Sequence, residues 1–148
     1  MEKAFEDYFS ELQADMIAVC MAYVKGNADK IYIYCSYEGM ILVDFFYCIN
    51  NNLVKRHKLN DISPYAEYDV SIEHQKTTSN KLLEDIKNMA LACQTHKCNM
   101  PTEIKIIYDV ITKDIHVEYK YEIQYTAKMA AYEISEKWFK ENERLIHR

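Results

Sequence analysis

Between Ile115 and Tyr125 the chain alternates without a break: Ile115, Val117, Tyr119, Tyr121, Ile123 and Tyr125 fall on one parity, and His116, Glu118, Lys120, Glu122 and Gln124 on the other. A period of two belongs to a β-strand with one apolar and one wet face. The same period governs "KIYIYCSYEGMILVDFFYCINNNLVKRHKLN", which reads as three strands at about 30–37, 40–49 and 53–59. Turns are expected at Glu38-Gly39 and at Asn50-Asn51-Asn52. "TEIKIIYDV" forms a further strand, joined to the alternating one by a short turn around "ITKD". Links this short join only antiparallel neighbours, because a parallel pair needs a long crossover. The expectation is an antiparallel sheet of about five strands.

Around this sheet the period lengthens to that of a helix. Phe5, Tyr8, Phe9, Leu12, Met16, Val19, Cys20 and Tyr23 recur at three-and-four spacing, so residues from about 3 to 24 form an amphipathic helix. "KGNADK" ends it, with Gly26 or Asn27 in the left-handed conformation. A second helix runs from about Ser79 to Thr95, capped by Ser79 or Thr78, with Leu82, Leu83, Ile86, Met89, Ala90 and Cys93 as its stripe. A third starts near Ala127 and carries Met129, Ala130, Ile134, Trp138 and Phe139. Residues 60–78, with Pro64 and no clear period, read as a loop with a short helical turn. The fold class is α+β, in the order α-βββ-α-ββ-α, with helices mainly on one sheet face and a single domain over residues 1–148. The strand at 40–49 is apolar on both parities and should be covered on both faces. The polar parity of the last strand should leave one sheet face open to water or to another protein.

The net charge of −5 disfavours direct nucleic-acid binding, which draws on Lys and Arg at phosphates. The basic cluster "KRHK" at 55–58 splits across both faces of its strand. No apolar run approaches the ~20 residues of a membrane span, and "MEKAFEDYF" lacks the order of a signal peptide. Five cysteines, Cys20, Cys35, Cys48, Cys93 and Cys98, sit in apolar segments and read as free thiols of a reducing compartment, the cytoplasm. "CQTHKC" brings Cys93, His96 and Cys98 close in sequence, but no second ligand pair follows, so no metal is expected. With two glycines there is no phosphate-cradling loop. The five histidines are scattered, and no catalytic residue or cofactor is assigned.

The first helix concentrates charge: Glu2, Glu6, Asp7, Glu11 and Asp15 against Lys3 alone. Asp7, Glu11 and Asp15 recur every fourth residue and repel one another along one side. That is either a solvated face or a docking stripe for a basic partner. Glu118 and Glu122 on the last strand are weaker candidates for the same role, against plain solvation of a mixed-charge face.

The stretches "DKIYIYCSYEGMILVDFFYCINNNLVKRHKLN" and "MPTEIKIIYDVITKDIHVEYKYE", with "NKLLEDIKNMALAC" between them, resemble the YezG-like immunity protein family of small bacterial antitoxins. The resemblance implies an α+β fold, no enzymatic activity, and one-to-one binding to a cognate toxin, commonly a nuclease. On that reading Asp7, Glu11, Asp15, Glu118 and Glu122 are the anionic contacts to a basic toxin domain. Two other readings stay open: a small-molecule module or enzyme with a pocket between helices and sheet lined by Tyr and Cys, and a homodimer through the aromatic middle strand.

Overall fold

A computed structural model describes residues 5–38, 40–62, 67–122 and 131–146. The elements are α1 (Phe5–Tyr23), β1 (Lys30–Glu38), β2 (Met40–Ile49), β3 (Asn52–Lys55), a 3-10 turn (Arg56–Lys58), α2 (Leu59–Ile62), α3 (Ile72–Thr95), β4 (Glu103–Asp109), β5 (Ile115–Lys120) and α4 (Ala131–Ile146). The fold is α+β, and its sheet has five strands in the order β3-β2-β1-β4-β5, antiparallel throughout. Gly39, Pro64, Ile123, Gln124, Tyr125, Met129, Ala130 and His147 lie outside the described residues, as do Glu2 and Lys3.

Period two resolves into two buried faces. Ile31, Ile33, Cys35, Phe45, Tyr47, Ile49, Ile104 and Ile106 point to one side, where they meet Met16, Cys20 and Tyr23 of α1 and Leu82, Ile86 and Met89 of α3. Tyr32, Tyr34, Phe46, Cys48 and Leu53 point to the other and close around Trp138 of α4. The two long helices thus share one face, and α4 lies on the opposite one. The open polar face expected from the last strand is present only at β5, where His116, Glu118 and Lys120 are exposed; over β1, β2 and β3 the helix covers it. The middle strand β2 is buried on both parities from Phe45 onward. The excess of Tyr is accommodated by satisfying the phenol tips: Tyr47 donates to the Cys20 carbonyl at 2.6 Å and Tyr23 to the Arg56 carbonyl at 3.0 Å.

Turns follow the expected chemistry. Lys25 and Gly26 both take positive φ at the end of α1, and the Gly26 amide bonds the Met21 carbonyl at 3.0 Å. Asn50 and Asn51 have φ of 53° and 62°, the pair of left-handed residues that a two-residue hairpin demands.

Three boundaries differ from the periodicity. The alternation expected to continue to Tyr125 yields a strand that ends at Lys120, with Tyr121 and Glu122 already outside it. The third strand stops at Lys55 rather than running to residue 59. Arg56 is held by Asp44 and Gln75, and the chain coils so that Leu59 drops fully into the main core. The loop expected over 60–78 is in part helical: α2 ends at Ile62 and α3 begins at Ile72, not Ser79. Its cap is Ser71, whose Oγ accepts the His74 amide at 3.1 Å. Thr78 instead lies inside the helix, donating to the His74 carbonyl.

Candidate functional site

α1 and α3 pack antiparallel. The Phe5 ring lies 5.4 Å from His96 at one end of the pair, and Tyr23 stacks on His74 at 4.7 Å at the other. This arrangement splits the acidic stripe. Successive positions four apart drift by about 40° around a helix of 3.6 residues per turn. Asp7 and Glu11 therefore face away from the protein, with Glu6 and Tyr8 exposed beside them, while Asp15 has rotated onto the α3 seam.

There Asp15 meets Asp85, whose side chain is only 6% exposed. Burial first, and then the hydrogen bond and the charge of Asp15, raise the Asp85 pKa from 3.8 to about 8. At neutral pH Asp85 therefore keeps its proton, hydrogen-bonded to Asp15, and Asp15 belongs to the helix pairing as much as to the surface.

The N-terminal half of α1 rests on the end of β5. Phe9 meets Tyr119 edge-on at 6.0 Å, and the Gln13 amide donates to the Tyr119 hydroxyl. Between them opens a cleft of about 560 Å³, walled by Phe5, Phe9, Tyr119 and Tyr121, with Glu6 on the α1 side and Cys93 and Cys98 on the α3 side. Among the described residues of its lining, Glu6 is the one whose side chain is a carboxylate. Burial raises the Cys93 thiol, which lies 3.8 Å from the Met100 sulfur, so it is poorly disposed to act as a thiolate nucleophile.

Glu118 is not part of this surface. It sits opposite Lys105 in the β4–β5 ladder, on the parity that faces away from α1. Glu122 follows the end of β5, exposed, with its carbonyl accepting from the Thr102 hydroxyl at 2.6 Å. The five candidate carboxylates thus divide into three places: Asp7 and Glu11 outward on α1, Asp15 on the helix seam, and Glu118 and Glu122 along the sheet edge.

In "CQTHKC" the side chains separate. Cys93 is buried, His96 packs on Phe5, and the exposed Cys98 bonds the His96 carbonyl. Among the described residues no three His, Cys, Asp or Glu side chains are placed to hold a metal ion. All five cysteines are free. No helix among the described residues is long and apolar enough to cross a membrane.

Two polar clusters had no signal in the sequence pattern. Asp44, inside an apolar strand, accepts from Arg56 and from the Ser135 hydroxyl, and Lys55 pairs with Glu136 across to α4. Glu103, 2% exposed, accepts from the Tyr34 hydroxyl at 3.0 Å and has the ammoniums of Lys105 and Lys120 at 3.5 and 3.7 Å. Each joins residues far apart in the chain. Both are accounted for as anchors of the sheet to α4 and of β4 to β5, since buried charges are retained only when paired.

No protein-family model matches the chain, and a search of the curated proteins finds no match.

Proposed function

We propose that the protein is an immunity protein of the YezG-like kind, which neutralises a cationic toxin domain, of the nuclease type, by stoichiometric binding through the outer side of α1. The observation that carries this reading is the juxtaposition of exposed carboxylates, Glu6, Asp7 and Glu11, with a cleft of exposed aromatic rings at Tyr119 and Tyr121. Aromatic anchors in a concave patch provide binding energy, and surrounding charge of one sign steers a partner of the other. A nuclease must be cationic where it holds phosphates. Localisation in the cytoplasm, where the thiols stay reduced, belongs to the same reading.

The test is co-purification with the product of the adjacent gene, followed by titration calorimetry at two ionic strengths. Asp7→Lys with Glu11→Lys should weaken the complex by roughly 10–100-fold and flatten its salt dependence. Unchanged affinity refutes the α1 surface, and the absence of any complex refutes the immunity reading.

A second reading is favoured by the cleft itself. Its volume of about 560 Å³ lies within the range of small-molecule sites, and its walls are the Tyr and Cys residues such a pocket would use. A small aromatic or cationic ligand would raise the melting temperature of the wild type but not of Tyr119→Ala, whereas a protein partner depends on Asp7 and Glu11 as well.

A further inference from the structure

Among the described residues β5 is the outermost strand on its side of the sheet, and its pairing with β4 runs unbroken from Ile115 to Lys120, with neither proline nor bulge to blunt the edge. The Asp109 amide donates to the Asp114 carbonyl at 2.9 Å. The alternation of an antiparallel ladder then turns the backbone groups of His116, Glu118 and Lys120 toward β4 and those of Ile115, Val117 and Tyr119 outward. The outward residues also carry the strand's apolar side chains, and Ile115 and Tyr119 are 53% and 39% exposed.

We propose that this edge pairs with the same edge of a second copy, antiparallel about a two-fold axis at Val117, so that the sheet continues through both protomers. Charge fixes both the occupant and the register. With Val117 opposite Val117, Glu118 stands opposite His116 and Lys120 opposite Asp114, each pair occurring twice, while Ile115 covers Tyr119. Because only odd-numbered residues offer outward amides, the register can slip only in steps of two. The next step sets Glu118 directly against Glu118, like charges opposed at the centre of the pairing. One step further faces Glu118 with Lys120 but overlaps only residues 118–120 of the strand. The centred register is the one that is both complementary in charge and fully overlapped.

This dimer does not depend on the toxin-binding reading, since it uses the sheet edge and needs no partner protein. The experiment is sedimentation equilibrium of the purified chain over about three decades of concentration. The wild type should approach twice the monomer mass at the upper end. Glu118→Lys, at an exposed position, should raise the dissociation constant about tenfold or more, since it removes two carboxylate–imidazole pairs and sets a lysine opposite each imidazole instead. The double variant His116→Glu with Glu118→Lys should restore it by exchanging the signs. A circular dichroism melt of each variant checks that the fold is retained, and Glu118→Gln serves should the reversal unfold the chain, with a smaller weakening expected. A wild type that stays monomeric throughout, as it would if the edge is reserved for a strand of another polypeptide, overturns the proposal. So does a reversal without effect, or rescue by Lys120→Glu in place of His116→Glu.

Discussion

Replacing Asp85 by Asn isolates the proton that Asp85 holds at the α1–α3 seam. In the folded chain the Asp85 pKa is raised from 3.8 to about 8, by burial first and then by Asp15. A carboxyl whose folded pKa lies above its unfolded value contributes stability that is fully present below pH 4 and is lost as pH climbs through the folded pKa near 8. Taken at face value, that gap amounts to about 5–6 kcal/mol, since each tenfold change in proton affinity is about 1.4 kcal/mol. Asp15 is exposed, however, and water reaching the seam screens the pair, so about 2 kcal/mol is the figure expected. An asparagine side chain has the shape of the protonated carboxyl and cannot ionise. At pH 3.5, below the unfolded pKa, the variant should match the wild type within about 0.5 kcal/mol, as expected for an isosteric change. At pH 9 it should be the more stable by about 2 kcal/mol, or about 4–8 °C in melting temperature for a chain of this size. Urea titrations of both proteins at the two pH values measure this directly, and the difference between them cancels every other titration. An Asn variant equally destabilised at both pH values would show that Asp85 works as an ionised acceptor, and the buried proton would be discarded.

Two further outcomes are expected. Ser71→Ala removes the side-chain acceptor that caps α3 and should cost about 1 kcal/mol, read as a fall of about 2–4 °C in the thermal melt; no change would mean that the helix starts elsewhere. Cys98 is the single exposed thiol, while burial raises the thiols of Cys20, Cys35, Cys48 and Cys93, so a thiol reagent should label one cysteine quickly in the native protein and the remaining four only on unfolding. Rapid labelling of two or more would contradict the packing of the sheet against its helices.

The sheet was legible in the sequence because period two is a local property: each strand from 30 to 49 and from 103 to 120 declares its faces without reference to its neighbours. The start of α3 was not legible. Its first apolar residue, Ile72, is 83% exposed, and the positions that turn inward over the first two turns are His74, Gln75 and Thr78, so the hydrophobic stripe is silent until Leu82. "LVKRHKL" kept the rhythm of a strand past Lys55, but Arg56 answers to Asp44, a residue on another strand, and no local pattern can report that. The acidic stripe shows both sides. Helical spacing places Asp7 and Glu11 outward, yet it carries no information about which neighbouring helix Asp15 will meet.

The joint between β1 and β4 has a kinetic side. Hairpins β1–β2–β3 and β4–β5 are each closed by short turns and can form within their own stretches of chain, but the sheet becomes one only when residues as distant as Ser36 and Glu103 come into register. Loop entropy is lost there before any contact compensates for it. That joint is where the search for the native state should slow down, and a chain halted before it would carry two loose ribbons with unzipped margins, ready to zip with the wrong partner.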